Sequence, residues 1–285
     1  MSNLSRRDFV AMAGATLAAS KLAMGHQGKL TAGEVVDRIK KNLGIPWQST
    51  TFRDTYKIGG PDVQVNGIVT TFGANLSVMQ RGLKEGLNMV ITHEPTFWSD
   101  ADIIDLVKDD PLYKYKLDYA AKNNIVVWRC HDHAHSHHPD LIWLGWNQGL
   151  GWENYENGGS DRGWTLPRTT LKELALYLDK TLPAGTKSIR CIGDPNLPVT
   201  RVVSGRNLTS MAADADAIIS SDSREYDCFE YARDSVRMGI KRGYIYITHE
   251  ASEDVGMQAF ANWMRPFVTE VPVKYIPTTD EFWSV

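Results

Sequence analysis

Apolar positions change their period repeatedly along the chain, and each change marks an element. Thr31-Ala32-Gly33-Glu34 has the form of a capping box, and Val35, Val36, Ile39 and Leu43 follow at helical spacing up to Gly44. One amphipathic helix is expected there. Residues 64–71 are rich in β-formers, 76–84 have helical spacing, and 87–92 (LNMVIT) form a continuous apolar run between Gly86 and Pro95. Strand, helix and buried strand in that order predict a βαβ unit. A second helix over 111–123 leads into the apolar run 125–128. The polar, glycine-rich segment 153–163 reads as a boundary between two lobes. Beyond it the spacing predicts a helix over 170–182, strands over 188–192 and 200–204 around a Gly193-Asp194-Pro195 turn, a short helical stretch over 211–214 and a strand over 217–220. A helix over 229–241, a strand over 244–248, a helix over 252–264 and a last strand over 271–276 complete the pattern.

The fold class expected is α/β, built as two related α/β lobes, 26–158 and 159–285. An internal echo supports the pairing. Gly82-Leu83-Lys84-Glu85-Gly86 runs through an apolar strand into Ile91-Thr92-His93-Glu94, and Gly239-Ile240-Lys241-Arg242-Gly243 runs through another into Ile247-Thr248-His249-Glu250. Each lobe thus presents a histidine at the carboxyl end of a buried strand, the edge where open α/β sheets bind ligands.

Histidine placement carries the chemistry. Of eight histidines, seven fall in three places: His93, the run His131, His133, His135, His137 and His138, and His249. A lone strand-end histidine is most often a satisfied core residue, but three strand ends delivering imidazoles suggest convergence on a cation. Carboxylates accompany two of them, Glu94 beside His93, and Glu253 four residues after His249. A mixed imidazole and carboxylate set suits Mn, Fe, Zn or Co. Taken alone, the run 131–138 reads equally well as a solvated, weakly metal-binding loop.

Composition narrows the classes. Thirty-one basic against 34 acidic residues give a net charge of -3, so no global positive field draws the chain to nucleic acid. Three widely spaced cysteines make neither a disulfide framework nor a thiolate metal clamp. Near the start, Arg6-Arg7 precedes a small-residue, mildly apolar stretch over 11–23 that is too short and too weakly apolar to span a membrane. Residues 1–25 resemble a twin-arginine signal, which would place the mature protein in the periplasm and leave it free of the membrane once cleaved.

With those residues placed, 31–285 resemble the dinuclear-metal family known as GTP cyclohydrolase 1 type 2-like, or Ngg-interacting-factor-three-like. Val69-Thr70-Thr71 and Thr92-His93-Glu94-Pro95 match its Thr-rich strand and His-His-Pro motif; His131 and His135 match its histidine and aspartate four apart. The turn Gly193-Asp194-Pro195 is familiar there, and Thr248-His249-Glu250-Ala251-Ser252-Glu253, followed by Gly256, matches its C-terminal signature. The resemblance implies metal ligands His93, Glu94, His135, His249 and Glu253 in the cleft between the lobes. Glu94 stands where the family has a histidine and His135 where it has an aspartate, so the tally of three imidazoles and two carboxylates is kept.

The expected function is a metal-dependent hydrolase of a small-molecule substrate, with one or two divalent ions and two ahead of one, and with His131, His133 or Glu250 moving the proton. A non-catalytic metal-binding or delivery protein and a mononuclear iron redox enzyme are the alternatives. The ring opening of GTP implied by the family's name is not carried over. Trp98, Trp128, Trp143, Trp146, Trp152 and Trp164 are expected mostly in the core, with two facing a ligand. No glycine-rich anion loop stands near the motifs, which disfavours phosphate esters. Assembly as a homo-oligomer, commonly a hexamer, is implied by the resemblance alone.

Overall fold

The computed structural model describes residues 30–157, 162–182 and 189–278. The signal-like segment 1–25 lies outside the described residues. Among those residues no helix is long and apolar enough to cross a membrane.

Helix α1 (Ala32–Leu43) has both arms of its capping box, and Gly44 closes it in the left-handed conformation. Five strands follow as β1 (Tyr56–Ile58), β2 (Ile68–Thr71), β3 (Met89–Thr92), β4 (Val126–Arg129) and, from the far end of the chain, β10 (Val273–Tyr275). They form one sheet in the order β1-β4-β3-β2-β10, parallel except for β1. Helices α2 (Leu76–Lys84) and α3 (Pro111–Lys122) make the crossovers. Alternation explains the continuous apolar runs. Ile68, Met89, Ile91, Val126 and Trp128 face one core with α1, while Val69, Val90 and Val127 face a second with Val78, Met79 and Ala120.

Short helix α4 (Asp132–Ser136) and helix α5 (Leu141–Leu150) lead to the second sheet. It comprises β5 (Gly163–Thr170), β6 (Arg190–Ile192), β7 (Pro198–Ser204), β8 (Ala217–Ser221) and β9 (Gly243–Ile247), in the order β5-β7-β8-β9-β6. Its helices are α6 (Leu171–Thr181), α7 (Leu208–Met211), α8 (Glu230–Arg237) and α9 (His249–Met264).

Both sheets carry three sequential parallel strands in consecutive places, with the preceding strand antiparallel beside the third. By that topology β2, β3 and β4 correspond to β7, β8 and β9. The two ITHE tetrapeptides therefore end non-equivalent strands, β3 and β9. The equivalent of His249 is His131, just past β4, so the echo is not the trace of the repeat.

The division at 158/159 also needs correcting at the C terminus. Strand β10 was assigned by sequence to the second lobe, but it pairs with β2, and Met257, Phe260, Ala261, Met264 and Val273 all join the first core. Helix α5 is shared likewise, giving Leu141 and Ile142 to the first core and Trp146 and Leu150 to the second. The α5–α9 pair thus bridges the lobes. Its close crossing needs two glycines: a Cβ on Gly145 would meet Gly256 Cα at 2.5 Å, and one on Gly256 would meet Ile142 Cα at 2.8 Å.

Candidate metal centre

Strand ends and one helix start build the site. His93 follows β3 and is wholly buried, its backbone N–H continuing the ladder to the Thr71 carbonyl at 3.1 Å. Its Nδ1 lies 3.2 Å from the Cys130 carbonyl oxygen, which can only accept, so Nδ1 carries the proton and Nε2 keeps a lone pair. His249 and Glu253 come from α9. The helix begins at His249 after the Thr248 cap, three residues earlier than the sequence pattern predicts, because the Thr248 hydroxyl accepts from the Ala251 N–H at 3.1 Å. That start puts His249 and Glu253 at i and i+4 on one helix face.

The side chains converge. Glu253 Oε2 lies 3.2 Å from His93 Nε2 and 2.8 Å from His249 Nε2; Glu94 Oε1 lies 3.5 Å from His249 Nε2 and 3.8 Å from His131 Nε2. The His93, His131 and His135 rings lie with centroids 4.5 to 4.9 Å apart. Two groups offer ligand atoms all within 4.8 Å of one another, His93 with His131 and His135, and His93 with Glu94 and Glu253. All five residues read from sequence as ligands therefore come to one place, with His131 among them.

Neighbours aim these rings. His135 Nδ1 donates to Asp140 Oδ2 at 3.0 Å and His131 Nδ1 to Asp132 Oδ1 at 3.0 Å, which frees both Nε2 atoms for a cation. Asp140 also caps α5 through Oδ1, which accepts from the Ile142 and Trp143 N–H groups. Burial, with the neighbouring His93 and His135, pushes His131 down to about 3. For Glu253, burial works upward, but the close approach of the His249 and His93 imidazoles outweighs it and holds the carboxyl far below its usual range. Burial works to lower His249, and Glu253 with Glu94 reverses the sign, leaving it raised.

One test of fit for a cation is internal to the structure. His93 Nε2 and Glu253 Oε2 are buried with no hydrogen-bond partner, although they face each other. Their approach lacks hydrogen-bond alignment, and an unpaired buried donor or acceptor costs ~1–3 kcal/mol. An ion between them satisfies both, so the donor set fits a divalent metal.

One expectation of proton transfer fails. His133 is buried away from the cluster: its Nδ1 is bound to Asp54 Oδ2, its Nε2 accepts from the Gln48 N–H at 2.9 Å, and its ring stacks on Trp47 at 3.7 Å. Both nitrogens are used, so it holds the fold. Glu250 follows His249 in the first turn of α9 and lines neither of the two cavities beside the cluster, and its charge adds to burial and Asp254 in raising the Tyr275 hydroxyl.

Arg129 and Arg206 are functional residues the sequence reading missed. Arg129, fully buried at the end of β4, donates from Nε to the His93 carbonyl at 2.9 Å and from Nη2 to Glu94 Oε2 at 2.9 Å. The signal was an arginine ending the apolar run Ile125-Val126-Val127-Trp128. Arg206 Nη1 stands 3.0 Å from His249 Nε2. Two cavities flank the cluster. One of about 210 Å³ reaches Trp143, Trp146 and Glu253; the other, about 700 Å³, is bounded by Phe72, Trp98 and His249. Trp128, Trp146, Trp152 and Trp164 are core residues.

The same fold occurs in solved structures at low identity. Staphylococcus aureus protein SA1388 matches at TM-score 0.69 and 16% identity, over 90% of this chain and 100% of that one. A Bacillus cereus protein related to NIF3 matches at 0.68 and 12%, over 90% and 100%, and reduced HcgD from Methanocaldococcus jannaschii at 0.59 and 18%, over 88% and 98%. Among curated proteins none matches the sequence. The family model for Duf34/NIF3 (NGG1p interacting factor 3) takes in residues 30–281, which contain both sheets and every residue of the cluster. The paired sheets and the matched sequence lead to one conclusion: the chain belongs to the DUF34/NIF3 family.

Proposed function

We propose that this protein is a metal-dependent hydrolase acting on a small-molecule substrate. The observation that carries the reading is the buried, unpartnered pair His93 Nε2 and Glu253 Oε2, set among imidazoles whose outer nitrogens are already committed. His93, Glu94, His249 and Glu253 would hold a cation on one side, with His131 and His135 on the other. A divalent ion there would acidify a water to near neutral pKa and polarise the bond under attack. The chain's own part is orientation: Cys130, Asp132 and Asp140 fix the rings, and Arg129 fixes Glu94.

The unpartnered pair His93 Nε2 and Glu253 Oε2 marks one ion position, and our reading takes one tightly held ion there. Arg129 holds Glu94 Oε2, and Glu253 turns Oε2 to the two imidazoles. Export through the twin-arginine route extends the proposal on the strength of the signal-like sequence, and homo-oligomeric assembly on the family resemblance alone. The test is elemental analysis of the purified protein, joined to turnover of chromogenic esters, amides, phosphoesters and glycosides with Mn, Fe, Zn and Co. One ion per chain and metal-restored turnover that His249→Ala and Glu253→Gln abolish are expected. Two tightly held ions would overturn the count, and absence of turnover with every metal would overturn the activity.

A further inference from the structure

The smaller cavity beside the cluster has a wall of donors. Guanidinium groups of Arg162 and Arg206, hydroxyls of Ser204 and Ser221, and the indole of Trp146 line it. Trp146 is only 2% exposed, and its Nε1 is buried without an acceptor. The guanidinium and indole N–H groups can only donate. The wall's one carboxylate, Glu253, is turned to His93 and His249. We propose that this cavity binds an oxyanion group of the substrate, phosphate or carboxylate, between Arg162 and Arg206. The proposal deepens the hydrolase reading and rests on it, since the bound anion would sit beside the ligand cluster.

Position and charge support this. Arg162 is held by Asp140 at 2.7 Å and lies over the Trp143 ring, 5.5 Å from its centre, so its planar fork is fixed before any ligand arrives. Arg206 is under-paired. Among the described residues its nearest carboxylate oxygen, Glu253 Oε1, is 4.0 Å away, and its Nη1 meets the lone pair of His249, a nitrogen that a cation would claim. Gly205 lets Arg206 take that place: a Cβ there would fall 1.9 Å from Ser210 Oγ, so any other residue would push the loop after β7 off Ser210. The volume of about 210 Å³ admits one compact anionic group. Arg206 also borders the larger cavity, where the rest of the substrate would extend past Phe72 and Trp98. The sequence holds no glycine-rich anion loop because two arginines far apart in the chain supply the charge that such a loop would provide.

The test uses the full chain stripped of metal, so that a bound ion cannot itself capture the anion. Inorganic phosphate and acetate are titrated calorimetrically into wild type, Arg162→Gln, Arg206→Gln and the exposed control Arg168→Gln, with folding checked by circular dichroism. We expect binding to wild type and to the control, weakened at least about tenfold in each cavity variant, as loss of a charged hydrogen bond implies. Arg162→Lys and Arg206→Lys, which keep the charge, should recover part of it. Phosphate binding more tightly than acetate assigns a phosphorylated substrate, and the reverse a carboxylate. No binding of either probe to metal-free wild type, or equal binding by the glutamine variants, overturns the proposal. Arginine-dependent binding without turnover on any chromogenic substrate would remove the hydrolase reading and leave the anion site standing.

Discussion

Asp140 shows how one side chain couples local structure to the site. Oδ1 caps α5, and Oδ2 takes the Nδ1–H of His135 and a guanidinium N–H of Arg162. Burial works to raise its pKa, but His135 and the cap donors prevail and keep it low. Asp140→Asn retains an acceptor for the cap and loses the charge behind His135. Metal affinity should fall about 10–100-fold, the usual effect of losing such a partner, with little change in melting temperature. Asp140→Ala should lose the cap as well, at ~1 kcal/mol. Competition with a metal-binding dye measures both; unchanged affinity in the asparagine variant would remove His135 from the ligand set. Residue identity alone made Glu94 and His135 look like a simple exchange of ligand types. The sequence could not show that Arg129 takes one oxygen of Glu94, because that contact joins the ends of two strands through the fold.

Helix α9 carries two of the candidate ligands, and its seat on α5 decides where they point. The crossing depends on Gly145, whose hypothetical Cβ would meet Gly256 Cα at 2.5 Å and the Val255 carbonyl at 2.7 Å. Backbone cannot yield as a flexible side chain can, so Gly145→Ala should force the helices apart at ~1–3 kcal/mol, the usual cost of overpacking. His249 and Glu253 would move with α9, so metal affinity should drop together with thermal stability; a loss of stability with full metal affinity would show that the crossing does not position the ligands. Elements with a clear local signature were legible: α1 by its capping box, α2 by its spacing, and α3, Pro111–Lys122, to within one residue of its predicted span. Helix α5 was not. Its residues LIWLGWNQGL are buried against both lobes, which erases the polar face that periodicity needs. Strand β1 is three residues long, and β5 begins inside the segment taken as a boundary, so neither offered a period to read. Of the candidate ligands, those at strand ends were legible from their motifs, whereas the separation of His133 from His131 and His135 depends on Asp54, Gln48 and Trp47 in a loop with no periodic signal.

At the scale of the whole molecule, the chain closes on itself where no local pattern announces it. After α9 it returns to the first sheet, β10 lies beside β2, and the Tyr275 hydroxyl donates to Asp254 on α9 at 2.6 Å. Arg38 on α1 grips the returning segment, donating to both oxygens of Glu270 at 2.8 and 2.7 Å and to the Phe267 carbonyl at 3.1 Å. Pairing across more than 200 residues is a property of the assembled sheet, so the last strand was assigned to the wrong lobe. The Arg38 hydrogen bonds draw Glu270 from an ordinary value of 4.5 down to about 2, against a smaller upward push from burial. A carboxyl depressed on folding stabilises the protein in full above its unfolded value and loses that contribution as pH falls towards its folded value. Wild type should therefore exceed Glu270→Gln in stability by up to ~1 kcal/mol at pH 7, because the pair is partly exposed and screened. Urea denaturation at a series of pH values should show this gap constant above about pH 5, narrowing below 4.5 and closing near 2, and reduced in 1 M salt. A gap that stays level from pH 7 down to 3 would mean that the bidentate pair adds nothing and that β10 is held by its ladder and by Val273 and Ile276 alone.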